Sequence, residues 1–337
     1  MSNEAYRSLA WAHGALVVQR LGAMLAPVTF VLADGRQVSP MHIAPWADEA
    51  RSDDLPGVLR RLRGEWPCVP FGYSLPPQSF VPDWQKVIAP AEPGEEVHGH
   101  CSNHAWRWED AAPGELRASI DYPAGHPVQR AERLVRPDPD RPAIDLEFRI
   151  EVREDCRLPI GLHGTFRLPV RAQAARLEPG RFDHGLTYPA MVEPAAPLFA
   201  EDRRFTDLAS VPLRRGGSLD ASRLPLVEDT EELLQLNGVD GSAALANEAD
   251  GYRMRLTWQK EHFPSLLLWI SNRGRRMAPW NGRHVAIGIE PICSPFGLGP
   301  ATAIADNPIA RSGTPTAHPF RRGSTFVTRY RISAEPL

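Results

Sequence analysis

The sequence predicts an all-β protein: one large antiparallel β-sandwich spanning residues 1–337, with minor helix. Three observations predict it. Several segments alternate apolar and polar residues with period two, Asp-Gly turns separate such segments, and 34 prolines are spread along the chain. Proline is excluded from helix interiors and central strands, so many short elements joined by turns fit better than long helices.

Taken in order, Asp34-Gly35 lies between VTFVLA and RQVSPMHIA and reads as a hairpin turn. The stretch DDLPGVLRRL at 53–62 has helical character for about two turns, limited by Pro56. Leu116, Ala118, Ile120 and Tyr122 alternate with polar neighbours. Ile144, Leu146, Phe148, Ile150 and Val152 alternate with Asp145, Glu147, Arg149, Glu151 and Arg153, which describes a strand with one wet face. Tyr252, Met254, Leu256 and Trp258 repeat the pattern, and Asp240-Gly241 and Asp250-Gly251 are further breaks. SLLLWIS at 265–271 is continuously apolar, as in a strand buried on both faces. The Pro-, Gly- and Ala-containing stretch 299–322 reads as a long surface loop before the last strand, STFVTRYRIS.

The 337 residues are 42% hydrophobic and 23% charged, enough apolar material for a sizeable core. A net charge of −3 leaves no basic surplus for nucleic acid or an anionic membrane surface. Cys68, Cys101, Cys156 and Cys293 form no CxxC motif. The opening MSNEAYRSLAWAHGALVVQRLGAMLAPV is interrupted by His13, Gln19 and Arg20, so it reads as neither signal peptide nor membrane span. The expectation is a cytoplasmic protein with reduced thiols.

Two strand-like segments carry an ionisable residue among small ones. In HVAIGIE, Val285, Ile287 and Ile289 share one face, and Ala286, Gly288 and Glu290 the other. In LPIGLHGTFRLP, Ile160, Leu162, Phe166 and Leu168 oppose Gly161, His163, Thr165 and Arg167. Small neighbours imply a hollow above the sheet, and a His and a Glu over one hollow form an acid–base pair. The competing readings are a hydrogen-bonded structural His and a Glu paired with one of the 38 Lys and Arg residues.

VHGHCSNHAWRW holds His98, His100 and His104. His-x-His on a strand would aim two rings to one face, but no Glu follows His100 at four or five residues. The ligand set is therefore incomplete, and no metal is expected. The alternative is a polar strand end beside a sugar, supported by Trp106 and Trp108. Among nine tryptophans, Trp66, Trp269 and Trp280 neighbour the segments above; indole faces stack on sugar C–H faces, although Trp269 within LLLWI reads better as core. Asp229 opens DTEELLQL, where Glu232 would complete a helix capping box; a ligand role for Asp229 is the other reading.

In their order, GEWPCVPFG at 64–72, His98-Gly99 with Trp106 downstream, LPIGLHGTFRLP, DTEELLQL and IEPICSPFG at 289–297 resemble the aldose 1-epimerase (galactose mutarotase-like) family, as a divergent member, from about Arg61 to Phe296. The resemblance implies a large antiparallel β-supersandwich, a sugar groove formed mainly by 61–297, and no cofactor. It implies His163 as general acid, Glu290 as general base, His98 as a second, substrate-orienting His, and Asp229 as a holder of sugar hydroxyls. The arginine usual after the first proline-rich motif is replaced by Phe71-Gly72-Tyr73-Ser74, with Arg63 as a substitute. Trp280 is assigned to substrate binding. The expected activity is anomer interconversion of an aldose by acid–base ring opening, with a monosaccharide or sugar derivative as the partner. A non-catalytic sugar-binding module, a glycoside hydrolase or lyase, and a metal enzyme are the rivals.

Overall fold

A computed structural model describes residues 4–55 and 57–337. Among these, two large sheets face each other. One has eleven strands and contains, side by side, the strands Glu65–Cys68, Ile160–Arg167, Val285–Cys293, Ser265–Asn272 and Thr230–Asn237. The other has nine strands, with Tyr252–Trp258, Thr325–Pro336, Ala143–Val152 and Val128–Pro137 at its centre. All the strand pairings are antiparallel apart from an isolated bridge. No helix of the described residues is long and apolar enough to cross a membrane.

The alternating sequences do what period two requires. In Ala143–Val152 the residues Ile144, Leu146, Phe148, Ile150 and Val152 are all buried between the sheets, and Arg149 and Glu151 are partly exposed. Asp34-Gly35 closes a hairpin, with Gly35 at φ +83°, a conformation that glycine adopts without strain. Asp250-Gly251 turns the pair Ser242–Asn247 and Tyr252–Trp258. Asp240-Gly241 does something else: it carries the chain from Thr230–Asn237 in one sheet to Ser242–Asn247 in the other.

The eleven-stranded sheet is buried on both faces, and this places the site. Leu234, Leu236, Leu266, Leu268, Ile270, Ile287 and Ile289 point into the inter-sheet core. Leu267, Trp269, Trp66 and Ile292 point the other way, into a second apolar cluster roofed by the segments 44–88 and 188–192. The roof is built from short turns. Residues 53–62 form parts of two 3-10 turns, Ala50–Asp54 and Gly57–Arg61; Pro56 lies outside the described residues.

Three local expectations are corrected. The 299–322 stretch contains two short helices, Gly299–Ile304 and Pro308–Arg311, and a strand, His318–Phe320, because Asn307 caps the second helix through the N–H groups of Ile309 and Ala310. DTEELLQL is the strand Thr230–Asn237, so Glu232 completes no capping box; its carboxylate instead accepts from the N–H groups of Leu198 and Phe199 and from Thr230 Oγ1. His100–Asn103 is a helical turn, not a strand. Its start follows His98 and Gly99, both at positive φ, which reverse the chain.

Candidate active site

The antiparallel pairs Gly161–Ile292 and Thr165–Gly288 set His163 opposite Glu290 on neighbouring strands. Trp66 pairs with His163 on one side, and Leu267 pairs with Glu290 on the other. Directly opposed residues share a face, so Trp66, His163, Glu290 and Leu267 form one row across four strands. His163 Nε2 lies 3.5 Å from Glu290 Oε1. The row forms part of the wall of a cleft of about 450 Å³, lined by residues between Val58 and Gly297.

The small residues flanking the pair have a different use from the one expected. A Cβ at Gly161 would sit 2.3 Å from the Phe71 ring, and one at Gly288 would sit 2.3 Å from the Glu290 carboxylate. The glycines let an aromatic ring and the carboxylate lie close against the sheet; the open space lies above them.

The His163 ring is held on several sides. Trp66 stacks on it, with centroids 4.1 Å apart and planes 14° apart. His98 and Trp269 meet it edge-on at 4.9 Å and 5.9 Å. Thr165 Oγ1 is 3.4 Å from Nδ1. His98 is fixed by a reciprocal arrangement with Gly72: its backbone N–H donates to the Gly72 carbonyl at 2.8 Å, and its Nδ1 accepts from the Gly72 N–H at 3.3 Å. That assigns the ring proton of neutral His98 to Nε2. The φ of +60° at His98 is a strained conformation for a residue with a side chain, and the Gly72 bonds hold it.

Burial controls the electrostatics. It pushes the Glu290 carboxyl well above its ordinary range. It pushes His163 well below the usual imidazole value, with neighbouring His98 adding to the effect. His98 falls to about 4 for the same reason. Desolvation at that depth disfavours an imidazolium at His163. Both shifts favour the uncharged forms, a carboxyl facing an imidazole.

Trp280 lines the cleft. Trp269 lines it too and is not simply core. Its indole N–H donates to Glu231 at 2.6 Å, and Ser271 Oγ donates to the other carboxylate oxygen at 3.0 Å, which locks the ring. Arg63 and Asp229 are not in the cleft. Arg63 is buried against Asp48 at 2.5 Å and lies over the Tyr6 ring. Asp229 is exposed and ion-paired to Arg273 at 2.7 Å. Both charges are satisfied elsewhere. The arginine that does reach the cleft is Arg275, 4.7 Å above the Trp280 ring and 3.5 Å from Glu231. Its sequence context, a run of arginines after an apolar strand, reads as a solvated turn and gives no signal.

Trp106 and Trp108 belong to the inter-sheet core, away from the cleft lining. His100 and His104 also lie outside the cleft. Their rings stack at 4.0 Å and share Glu96, whose ligand atom converges with theirs within 4.8 Å. The carboxylate near this His pair thus precedes it in sequence. Glu96 engages His104 at 2.7 Å and His100 at 3.3 Å, so the three groups satisfy one another.

No protein-family model matches the chain, and no curated protein matches it significantly by sequence. Solved structures do. An aldose epimerase homologue from C. elegans aligns with a TM-score of 0.64 at 13% identity, covering 98% of this chain and 99% of that one. A galactose mutarotase-like protein from Clostridium acetobutylicum gives 0.62 at 11% identity, covering 98% and 95%. A galactose mutarotase related enzyme from Lactobacillus acidophilus gives 0.58 at 12%, covering 98% and 97%. The chain therefore carries the galactose mutarotase-like β-sandwich fold, and the resemblance read from its motifs holds at the level of fold.

Proposed function

We propose that this protein is an isomerase of the aldose 1-epimerase type, an acid–base catalyst that opens and recloses a cyclic hemiacetal of an aldose or sugar derivative. The observation that carries the reading is the buried His163–Glu290 pair at 3.5 Å on the wall of a cleft. Burial favours the uncharged form of both partners, so in this reading the carboxyl holds the proton to be given and the imidazole has the free lone pair. Glu290 protonates the ring oxygen as the C1–O bond breaks. His163 takes the proton of the anomeric hydroxyl, whose electron pair forms the C=O bond. After rotation about C1–C2, the Glu290 carboxylate recovers a proton from the ring hydroxyl as it attacks C1, and imidazolium returns one to the new anomeric oxygen. Charge separation is confined to the open-chain stage. These opening roles reverse those implied by the resemblance, and closure exchanges them.

His98 Nε2–H is the fixed donor that orients the hemiacetal oxygens. No step requires a metal or nucleotide. The test is NMR exchange between anomers. Glu290→Gln keeps shape and one acceptor but holds no transferable proton, so exchange should fall by about two to four orders of magnitude in folded protein. Unchanged exchange in folded Glu290→Gln leaves the fold as a binding module only.

A further inference from the structure

Among the described residues the cleft lining holds one arginine and no lysine or aspartate. Burial favours the uncharged forms of Glu290, His163 and His98. Arg275 is thus the permanent charge of the wall, because a guanidinium keeps its proton.

Arg275 is held but not saturated. Its guanidinium carbon lies 4.7 Å over the Trp280 ring and 5.8 Å over the Trp269 ring, contacts that restrain the plane of the fork. It meets Glu231 through Nε at 3.5 Å, longer than an ordinary hydrogen bond. The Glu231 oxygens already accept from the Trp269 indole N–H at 2.6 Å and from Ser271 Oγ at 3.0 Å. A guanidinium has five N–H groups, and this one donates no hydrogen bond to a described residue. Tyr188 lines the same cleft, is buried, and its hydroxyl has no hydrogen-bond partner among the described residues. Burial pushes that hydroxyl up and the Arg275 charge opposes the rise, so the two groups feel one another.

The fork and the acid–base pair also share a neighbour. The Trp269 ring lies 5.9 Å from the His163 ring and 5.8 Å from the Arg275 guanidinium carbon, so one indole touches both.

We propose that the substrate is an aldose bearing a carboxylate, a sugar of the uronic acid type, whose carboxylate is bound by Arg275 with the Tyr188 hydroxyl as a further donor. The inference rests on the acid–base reading above, which puts the anomeric centre at His163 and Glu290. A planar carboxylate accepts two parallel N–H bonds from an arginine fork, and those charge-assisted bonds are stronger than bonds to a neutral hydroxyl. A phosphate monoester carries more negative charge than a single arginine neutralises, and Glu231 stands beside that arginine. One fork therefore suits a monoanion better than a phosphate.

The experiment is calorimetric titration of the full chain with glucuronate and galacturonate, against glucose, galactose, the neutral isostere glucuronamide, and glucose 6-phosphate. One uronate should bind at least about ten-fold tighter than its neutral counterpart and tighter than the phosphate ester. Arg275→Gln should remove most of that preference and affect the neutral sugars far less. Tyr188→Phe, which keeps the ring and deletes only the hydroxyl, should weaken the uronate several-fold at an unchanged melting temperature. Uronates binding no tighter than neutral sugars, tighter binding of the phosphate ester, or uronate affinity indifferent to folded Arg275→Gln or to Tyr188→Phe overturns the proposed substrate class. Tight uronate binding without accelerated anomer exchange keeps the substrate class and removes the isomerase reading; accelerated exchange of neutral sugars with no uronate preference does the reverse.

Discussion

Glu65 and Glu290 are both buried to about 1% exposure in the same sheet, on neighbours of the His163 strand, yet they face opposite sides. Glu65 points between the sheets. There it pairs with Arg133 and accepts from Tyr330 at 2.7 Å, while Arg133 also donates to the carbonyls of Ala23 and Glu65. Glu290 points into the cleft, where its neighbour is a neutral imidazole and burial alone shifts its carboxyl. An arginine cannot give up its proton, so Glu65 is tied into a fixed ion pair that joins two sheets. The shift of Glu290 towards its protonated form has burial as its cause. One residue type is thus a rivet on one face and, in the proposed mechanism, a reagent on the other.

The contrast breaks or holds on stability. Glu65→Gln strands the Arg133 charge in the core and should destabilise the fold by about 3–5 kcal/mol in urea melts. Glu290→Gln replaces a neutral carboxyl with a neutral amide and should remain within about 1 kcal/mol of the parent near pH 7. Equal losses in both variants would mean that Glu290 is also a structural ion.

A finer effect is the pH dependence. Above the ordinary carboxyl value of 4.5, an unfolded chain has released the proton that folded Glu290 keeps. Stability should therefore fall as pH rises through that window, by at most about 1.4 kcal/mol per pH unit, and Glu290→Gln should remove this slope. His163 works in the other direction: below 6.5 the unfolded imidazole binds a proton that the folded one refuses, so stability should fall as pH drops, and His163→Asn should flatten that limb. Melts from pH 5 to 9 read both limbs, and a Glu290→Gln profile parallel to the parent would contradict the neutral pair.

The smallest effect belongs to Glu96, His100 and His104, which are half-buried to exposed. Glu96→Gln should change stability by roughly 1 kcal/mol or less. Chelator-dialysed protein should carry less than one metal per chain by elemental analysis, because three mutually bonded groups leave the ligand set short. One retained equivalent would make this cluster a metal centre.

Much of the architecture was legible. Period-two segments fixed the strand faces, and His163 and Glu290 fall on the sheet face that lines the cleft. What misled was partner choice at a distance. Asp229 and Arg63 are plausible sugar ligands by type, but Arg273 and Asp48 claim them. Arg275 reaches the cleft through a turn whose path no periodicity encodes. Trp269 reads as core in a continuous apolar run because a sheet covered on both faces erases the alternation that would separate wall from core. The histidine segment fails for a related reason: positive φ at His98 and Gly99 converts an apparent strand into a turn.

That doubly covered sheet divides the labour of the chain by parity. In Ile160–Arg167 the even positions Ile160, Leu162 and Phe166 serve the inter-sheet core, and His163, at an odd position, lines the cleft. In Val285–Cys293 the assignment is inverted, with Ile287 and Ile289 inside and Glu290 outside. Leu266 and Leu268 alternate in the same way with Leu267 and Trp269. Selection or a designed library can therefore change cleft-facing side chains such as Leu267 and Trp269 and retune what the cleft accepts, with Gly161 and Gly288 kept, while the interleaved set goes on specifying the fold.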